Sequence, residues 1–298
     1  MENIIVQRKL EPAFESLHRI LNLTAKIKIV DIGANPIDGE VSYAPLLANG
    51  HAQIVGFEPN LDALERLNQR KGPNETYLPY AIADGARHTL HHCLLPGMTS
   101  LLEPNPGVLS LFYGFADWGK VVRTEEVDTA RLDDIPETAG LDMLKIDIQG
   151  GELMVFKNAP TRMSEALLIQ TEVEFMPMYI GQPLFSDVDI FLREHGFMLH
   201  RLEPLVTRDF KPLLFGTDPY EGHSQVLWAD AIYVRDLTQL GKLDAEQLLK
   251  LAVILHDCYK AYDCALYLLR EYDRRTNQNY RNIYFAAVTS QNQARLNE

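Results

Sequence analysis

Residues 27–35 read Ile27-Lys28-Ile29-Val30-Asp31-Ile32-Gly33-Ala34-Asn35. A short, almost continuously apolar run that stops in a turn of small residues is the pattern of a buried strand. The pattern returns down the chain, at Gln53 to Glu58, Thr76 to Ala83, Asp142 to Ile148 and Leu167 to Phe175, with further strands near 197–203 and 225–234. Helices are expected between them at 61–70, after Pro59-Asn60, and at 186–195. Apolar strands alternating with helices indicate an α/β fold, with a mostly parallel sheet covered by helices on both faces.

Three stretches depart from this alternation. Residues 10–23 suit an amphipathic lead-in helix, with Leu10, Phe14, Leu17 and Leu21 at helical spacing. Residues 85–132 form an insertion rich in Gly, Pro and aromatic residues, whose last part, Lys120 to Leu132, looks like an added strand. From about 241 the chain turns helical, so a division into 1–240 and a C-terminal extension, 241–298, is expected. Leu248, Leu249, Leu251, Ala252, Ile254 and Leu255, followed by Tyr259, Tyr262, Ala265, Leu266, Leu268 and Leu269, spread wider than one stripe. A helical hairpin folded back on the sheet would cover them, as would a homodimer through these helices. The second is slightly favoured, because the sheet already has its own helices.

Composition narrows the function. Of 298 residues, 46% are hydrophobic and 23% charged, the balance of a folded globular protein. The net charge of −13 argues against general binding to nucleic acid or anionic membranes. Three cysteines without a CxxC favour neither a disulfide framework nor structural zinc, so a reducing cytoplasm is the expected location. The first twenty residues show no apolar core of a leader, and no run reaches the roughly 18 apolar residues of a membrane span.

In an open parallel sheet, ligands sit at the carboxyl ends of the strands. The first strand ends in Asp31, Gly33, Ala34 and Asn35, whose small side chains admit a ligand to the backbone. The second ends at Glu58, 25 residues past Gly33, where a carboxylate can accept both hydroxyl protons of a ribose. GxGxxG is missing, and Asp31 and Asp38 would oppose a pyrophosphate. S-adenosylmethionine, with a ribose, an ammonium, a sulfonium and no phosphate, fits better. Pro59, Asn60 and, after the third strand, Asp84 complete the expected cofactor set.

At the fourth strand Lys145, Asp147 and Gln149 alternate along one face, and Glu152 follows the paired glycines Gly150-Gly151. Asp147 is the first candidate for a base toward an acceptor hydroxyl and also adjoins the cofactor. Lys145 and Glu172 stand beside it in the catalytic set. The plainer alternative is an internal Lys145–Asp147 ion pair. Gln170, Glu172 and Glu174 form a second polar row on the fifth strand, in the cleft or exposed to solvent.

In Asp31-Ile32-Gly33-Ala34-Asn35, Gly56-Phe57-Glu58-Pro59-Asn60, Leu132-Asp133-Asp134-Ile135 and Lys145-Ile146-Asp147-Ile148-Gln149-Gly150-Gly151-Glu152, the chain resembles the FkbM-type methyltransferases over about residues 27–200. The resemblance implies a class I, Rossmann-like fold with a seven-stranded sheet. It also implies S-adenosylmethionine as cofactor and methyl transfer to an oxygen, on a sugar, glycan or polyketide-like product. Gln149 stands where many members carry Glu, and a neutral amide positions ligands but is no base. A binding or scaffold protein that keeps the fold without turnover is the alternative, and an oxidoreductase is disfavoured by the missing GxGxxG.

Gln149, Glu152, Trp118 and His223 are the expected acceptor contacts. Trp118, with Phe112, Tyr113 and Phe115, offers a stacking platform or ordinary core. His88, His91, His92 and Cys93 resemble metal ligands in composition, but strand alternation splits them, and a polar hairpin is the better reading. A divalent metal between Asp147 and Glu172 rests on an oxygen pair without defined spacing.

Overall fold

Seven strands build the main sheet of the computed structural model: β1 (Ile27–Ile32), β2 (Ala52–Phe57), β3 (Glu75–Leu78), β4 (Met143–Ile146), β5 (Leu168–Glu174), β6 (Phe197–Arg208) and β7 (Gln225–Arg235). The structure describes residues 14–35, 41–214, 216, 218 and 222–296, the last six by backbone alone. Asp38 and residues 10–13 of the expected lead-in helix lie outside the described residues; Leu17–Leu21 of that helix is formed.

The spatial order is β3-β2-β1-β4-β5-β7-β6. β1 pairs in parallel with β2 (Ile29 opposite Ile54) and with β4 (Asp31 opposite Lys145), and β4 pairs in parallel with β5 (Lys145 opposite Gln170). β7 runs antiparallel to both β5 and β6. Strand order reverses between β1 and β4, so the crevice beyond their carboxyl ends is where such a sheet binds ligands.

The strands are apolar because both faces are covered. Ile27, Ile29, Val30 and Ile32 of β1 are at most 1% exposed, each worth about 1.5–3 kcal/mol of burial. One cluster joins Val30, Ile32, Leu144 and Ile146 of the strands to Leu153 and Phe156 of helix Glu152–Lys157 and to Val188 and Leu192 of helix Phe185–Glu194. Helix Leu61–Arg70 starts where expected, with Asn60 Oδ1 accepting the Ala63 N–H at 3.0 Å.

The expected third strand is two. Pro79 has no N–H for a ladder. β3 ends at Leu78, and Ala81–Ile82 pairs instead with Thr129–Ala130 of a second sheet. That sheet is the insertion: strand Val121–Ala130 lies between Ala81–Ile82 and strand Arg87–Cys93. Phe112 and Phe115 are buried with Met98, Leu109, Met178 and Tyr179 in its own core.

The chain divides into two compact units. One holds residues 26–41 and 52–240 and carries both sheets; the other holds 1–25, with helix Leu17–Leu21, together with 42–51 and 241–298. In the second, helices Ala245–Asp257 and Tyr262–Thr276 pack on each other. An Asp244/Gln247 capping box opens the first of them, with bonds of 2.8 and 3.0 Å. Leu248, Leu251, Ala252, Val253, Ile254 and Leu255 are all at most 1% exposed in the single chain. No helix among the described residues is long and apolar enough to cross a membrane.

Candidate active site

The glycine turn after β1 is pressed against the end of β4. The Asp147 N–H donates to Ile32 O at 3.0 Å, and the N–H groups of Gly33 and Ala34 donate to Phe57 O at 3.2 and 3.0 Å. Gly33 has φ +83°, and a Cβ there would lie 2.1 Å from the Asp147 carbonyl oxygen, so only glycine fits. Gly56 on β2 is needed for a different reason. A Cβ would stand 2.5 Å from the Tyr77 ring and 3.0 Å from Ala34 Cβ.

Glu58, 6% exposed, ends β2 and accepts the Asn60 N–H at 2.7 Å. Burial raises its pKa, against the opposing pull of that bond and of Arg66. Asp31 is fully buried and accepts from Lys145 Nζ at 3.3 Å. The Lys145 partner is therefore Asp31, its neighbour across the ladder, and not Asp147 as in the alternative reading of the sequence. Burial works to lower the lysine pKa, but Asp31, then Asp147 and Asp230, outweigh it and the net shift is upward.

Beyond β4 the chain turns through Gln149, which has φ +61°. Its Nε2 donates to Asp147 Oδ1 and to Glu172 Oε2, both at 2.9 Å. Its Oε1 accepts from the Tyr179 hydroxyl at 3.1 Å, and its backbone oxygen accepts from Ser100 Oγ at 2.7 Å. Burial, with Asp147 and Glu174 close by, drives the Glu172 pKa well up. Glu174, 4% exposed, is pushed the same way by burial and by Glu152 and Asp147. Glu152, 3% exposed, staples the turn by accepting the N–H groups of Ile148 (2.8 Å) and Gly150 (3.3 Å), and burial lifts its pKa to about 7. Gln170 donates to Asp230 Oδ2 at 2.7 Å.

Asp31, Gly33, Ala34, Lys145, Asp147, Gln149 and Glu172 are thus joined by direct bonds or close approach, and Glu58 directly follows Phe57, whose carbonyl holds the glycine turn. Asn35 follows in the same turn, and Pro59 and Asn60 lead exposed into the next helix. Asp84 is engaged elsewhere: it accepts from His88 at 2.8 Å, which lowers its pKa, and from the Ala86 N–H. Trp118 packs on Phe115 with ring centroids 5.0 Å apart, in the insertion core. His223 is exposed, its N–H donating to Asp209 Oδ1 at 2.9 Å. His92 pairs with Glu125 at 3.0 Å, and among the described residues no three His, Cys, Asp or Glu side chains are placed to hold a metal. Tyr179 and Ser100 were missed. Each is a single polar residue distant in sequence, with no local signal.

A sheet in the order β3-β2-β1-β4-β5-β7-β6 with only β7 antiparallel is the class I architecture of S-adenosylmethionine-dependent methyltransferases. The glycine turn without GxGxxG and the buried carboxylate ending β2 fit a phosphate-free nucleoside ligand. The chain matches the Methyltransferase FkbM domain over residues 31–199 and belongs to that family. It is similar to 2-O-methyltransferase NoeI of Sinorhizobium fredii (strain NBRC 101917 / NGR234), 27% identical over 175 residues, or 54% of this chain and 70% of NoeI. Among solved structures, a SAM dependent methyltransferase from Aquifex aeolicus overlays with a TM-score of 0.30 at 10% identity, covering 74% of this chain and 90% of that one. A protein of the NADB-Rossmann superfamily from Streptococcus agalactiae overlays with a TM-score of 0.35 at 11% identity, covering 93% and 94%. At such scores these overlays add nothing to the fold read from the strand order.

Proposed function

We propose that this methyltransferase acts on oxygen, moving a methyl group to a hydroxyl of a sugar or glycan. The observation that carries the reading is the carboxylate pair Asp147 and Glu172, bridged by Gln149, at the carboxyl ends of β4 and β5 beside the β1 glycine turn. The name of NoeI, a 2-O-methyltransferase, supports the same acceptor chemistry.

S-adenosylmethionine supplies an electrophilic methyl group on a sulfonium. Glu58 would hold its ribose, and the Gly33-Ala34 backbone would lie against it. A hydroxyl becomes a good nucleophile as its proton leaves, and Asp147 is placed to take that proton. Lys145, held by Asp31, keeps positive charge beside Asp147 and so favours its ionised form. Lys145 is already held by Asp31 and so is not offered to an incoming phosphate, which favours an uncharged acceptor over a sugar phosphate.

The test is incubation with isotopically methyl-labelled S-adenosylmethionine and a panel of neutral methyl pyranosides, oligosaccharides and sugar phosphates, read by mass spectrometry. Transfer to a hydroxyl of a neutral sugar is expected, and Asp147→Asn should lower turnover by about 10²–10⁴-fold with cofactor affinity retained. Cofactor binding without transfer to any acceptor would leave a binding protein. Undiminished turnover in Asp147→Asn would remove Asp147 as the base.

A further inference from the structure

Gln149 brings the acidic residues of the site together, and its own chemistry decides what it does there. An amide has two N–H donors and one carbonyl acceptor, whereas an ionised carboxylate only accepts. Both Nε2 contacts, at 2.9 Å, are to carboxylate oxygens, so the NH₂ must face Asp147 and Glu172. The carbonyl then faces the Tyr179 hydroxyl at 3.1 Å. The main chain at Gln149 is held as well, by Ser100 Oγ at 2.7 Å and by its left-handed conformation, φ +61°. Few side chains adopt that conformation without cost, and it directs this one back over the end of β4.

We propose that Gln149 is the positioning residue for Asp147: its amide fixes the plane of the Asp147 carboxylate and supplies the hydrogen bond that keeps it ionised, while holding Glu172 at the fixed distance its second N–H sets. The inference rests on Asp147 taking the acceptor's proton. It assigns Gln149 to the enzyme's own carboxylates, where the sequence had suggested a contact to the acceptor.

The surroundings explain why an amide is suited to this place. Asp147 faces Lys145 of β4, Glu152 across the turn, and Glu172 and Glu174 on β5. Asp31 on β1 and Asp230 on β7 act on it through Lys145, whose charge they share. Glu152, Glu172 and Glu174 disfavour ionisation of Asp147 to the extent that each is itself ionised, and one ammonium and one amide favour it. A glutamate at 149 would replace the amide by a further carboxyl group and present oxygen to oxygen at both contacts.

The test uses the full chain labelled with carboxyl-¹³C aspartate, the Asp147 resonance being assigned by its loss in Asp147→Asn. In Gln149→Met, which keeps length and shape without donors, Asp147 should titrate about one pH unit higher than in the wild type, and in Gln149→Glu higher still. On an acceptor found in the panel above, the acid limb of the kcat profile should move with it. At neutral pH kcat should fall about 10- to 100-fold while KM for S-adenosylmethionine stays unchanged. Tyr179→Phe, which keeps the ring and loses the hydroxyl shared by Gln149 Oε1 and the Met98 carbonyl, both at 3.1 Å, should move Asp147 in the same direction by less, and serves if Gln149→Met does not fold. An Asp147 titration unmoved in the folded variants overturns the positioning role. Absence of methyl transfer by the wild-type chain overturns instead the reading of Asp147 as base.

Discussion

Glu152→Gln should stabilise the protein at pH 8 and leave it nearly unchanged at pH 5. The carboxyl of Glu152 is 3% exposed, and its pKa is raised from 4.5 to about 7, chiefly by burial, with a contribution from Asp147. Between those two values the folded chain binds its proton more tightly than the unfolded chain does. For this group, stability is therefore greatest below pH 4.5 and falls as the pH rises through about 7. Each pH unit between the two is worth about 1.4 kcal/mol, so the full effect is on the order of 3 kcal/mol. Glutamine keeps an oxygen to accept the N–H groups of Ile148 and Gly150 and cannot ionise. The measurement is urea unfolding of wild type and variant at pH 5 and pH 8. A gain of about 1–3 kcal/mol at pH 8, absent at pH 5, is expected. Equal changes at the two pH values would refute the argument, because the effect would then be one of packing and not of charge.

Glu58→Ala should weaken S-adenosylmethionine binding by about 10- to 150-fold, the worth of charged hydrogen bonds of roughly 1.5–3 kcal/mol; unchanged affinity by calorimetry in a folded variant would move the ribose elsewhere. Gly33→Ala should cost about 1–3 kcal/mol in strained backbone and contact with the Asp147 carbonyl, and lower the melting temperature and the cofactor affinity together. An unaltered melting curve would contradict the close approach of β1 and β4. The apolar residues Leu248, Leu251, Ala252, Ile254, Leu255, Ala265, Leu268 and Leu269, which suggested a homodimer, are already buried in one chain. Light scattering on the full chain should therefore show a monomer; a stable dimer refutes this and restores the expected interface.

The strands were legible because each is a short apolar run bounded by turn residues, and the sheet that these runs predict is the one found. Contacts set by register were not. The sequence offers Asp147 as the nearest anion to Lys145, two residues away, yet the parallel ladder puts Asp31 directly opposite that lysine. Only the pairing of β1 with β4 reveals it. Strand alternation also brings Asp147 and Gln149 together on paper, and they do meet at 2.9 Å, but not as strand neighbours. β4 stops at Ile146, and the contact is made by a left-handed residue that no spacing rule anticipates. Trp118 illustrates the converse limit of a sequence. An aromatic cluster reads the same whether it faces a sugar or the insertion's own core.

β5 shows where fold and function part company. A strand covered on both faces should be apolar throughout, and Leu168, Ile169 and Val173 obey. Gln170, Glu172 and Glu174 do not, and they alternate, so one face of a central strand is polar. An exposed acidic row would have been unremarkable, but Gln170 is 8% and Glu174 4% exposed. Burial raises the pKa of both glutamates, so the row costs stability that Val or Ile at the same places would not. What that face meets accounts for it: Gln170 bonds Asp230 across the antiparallel ladder, and Glu172 bonds Gln149 at the end of β4. The departure from strand physics is confined to one face of β5, and on that face Glu172 is linked through Gln149 to Asp147. A local rule broken on one face only, with specific polar partners met there, is what the function proposed above requires of this strand and what a plain core strand does not explain.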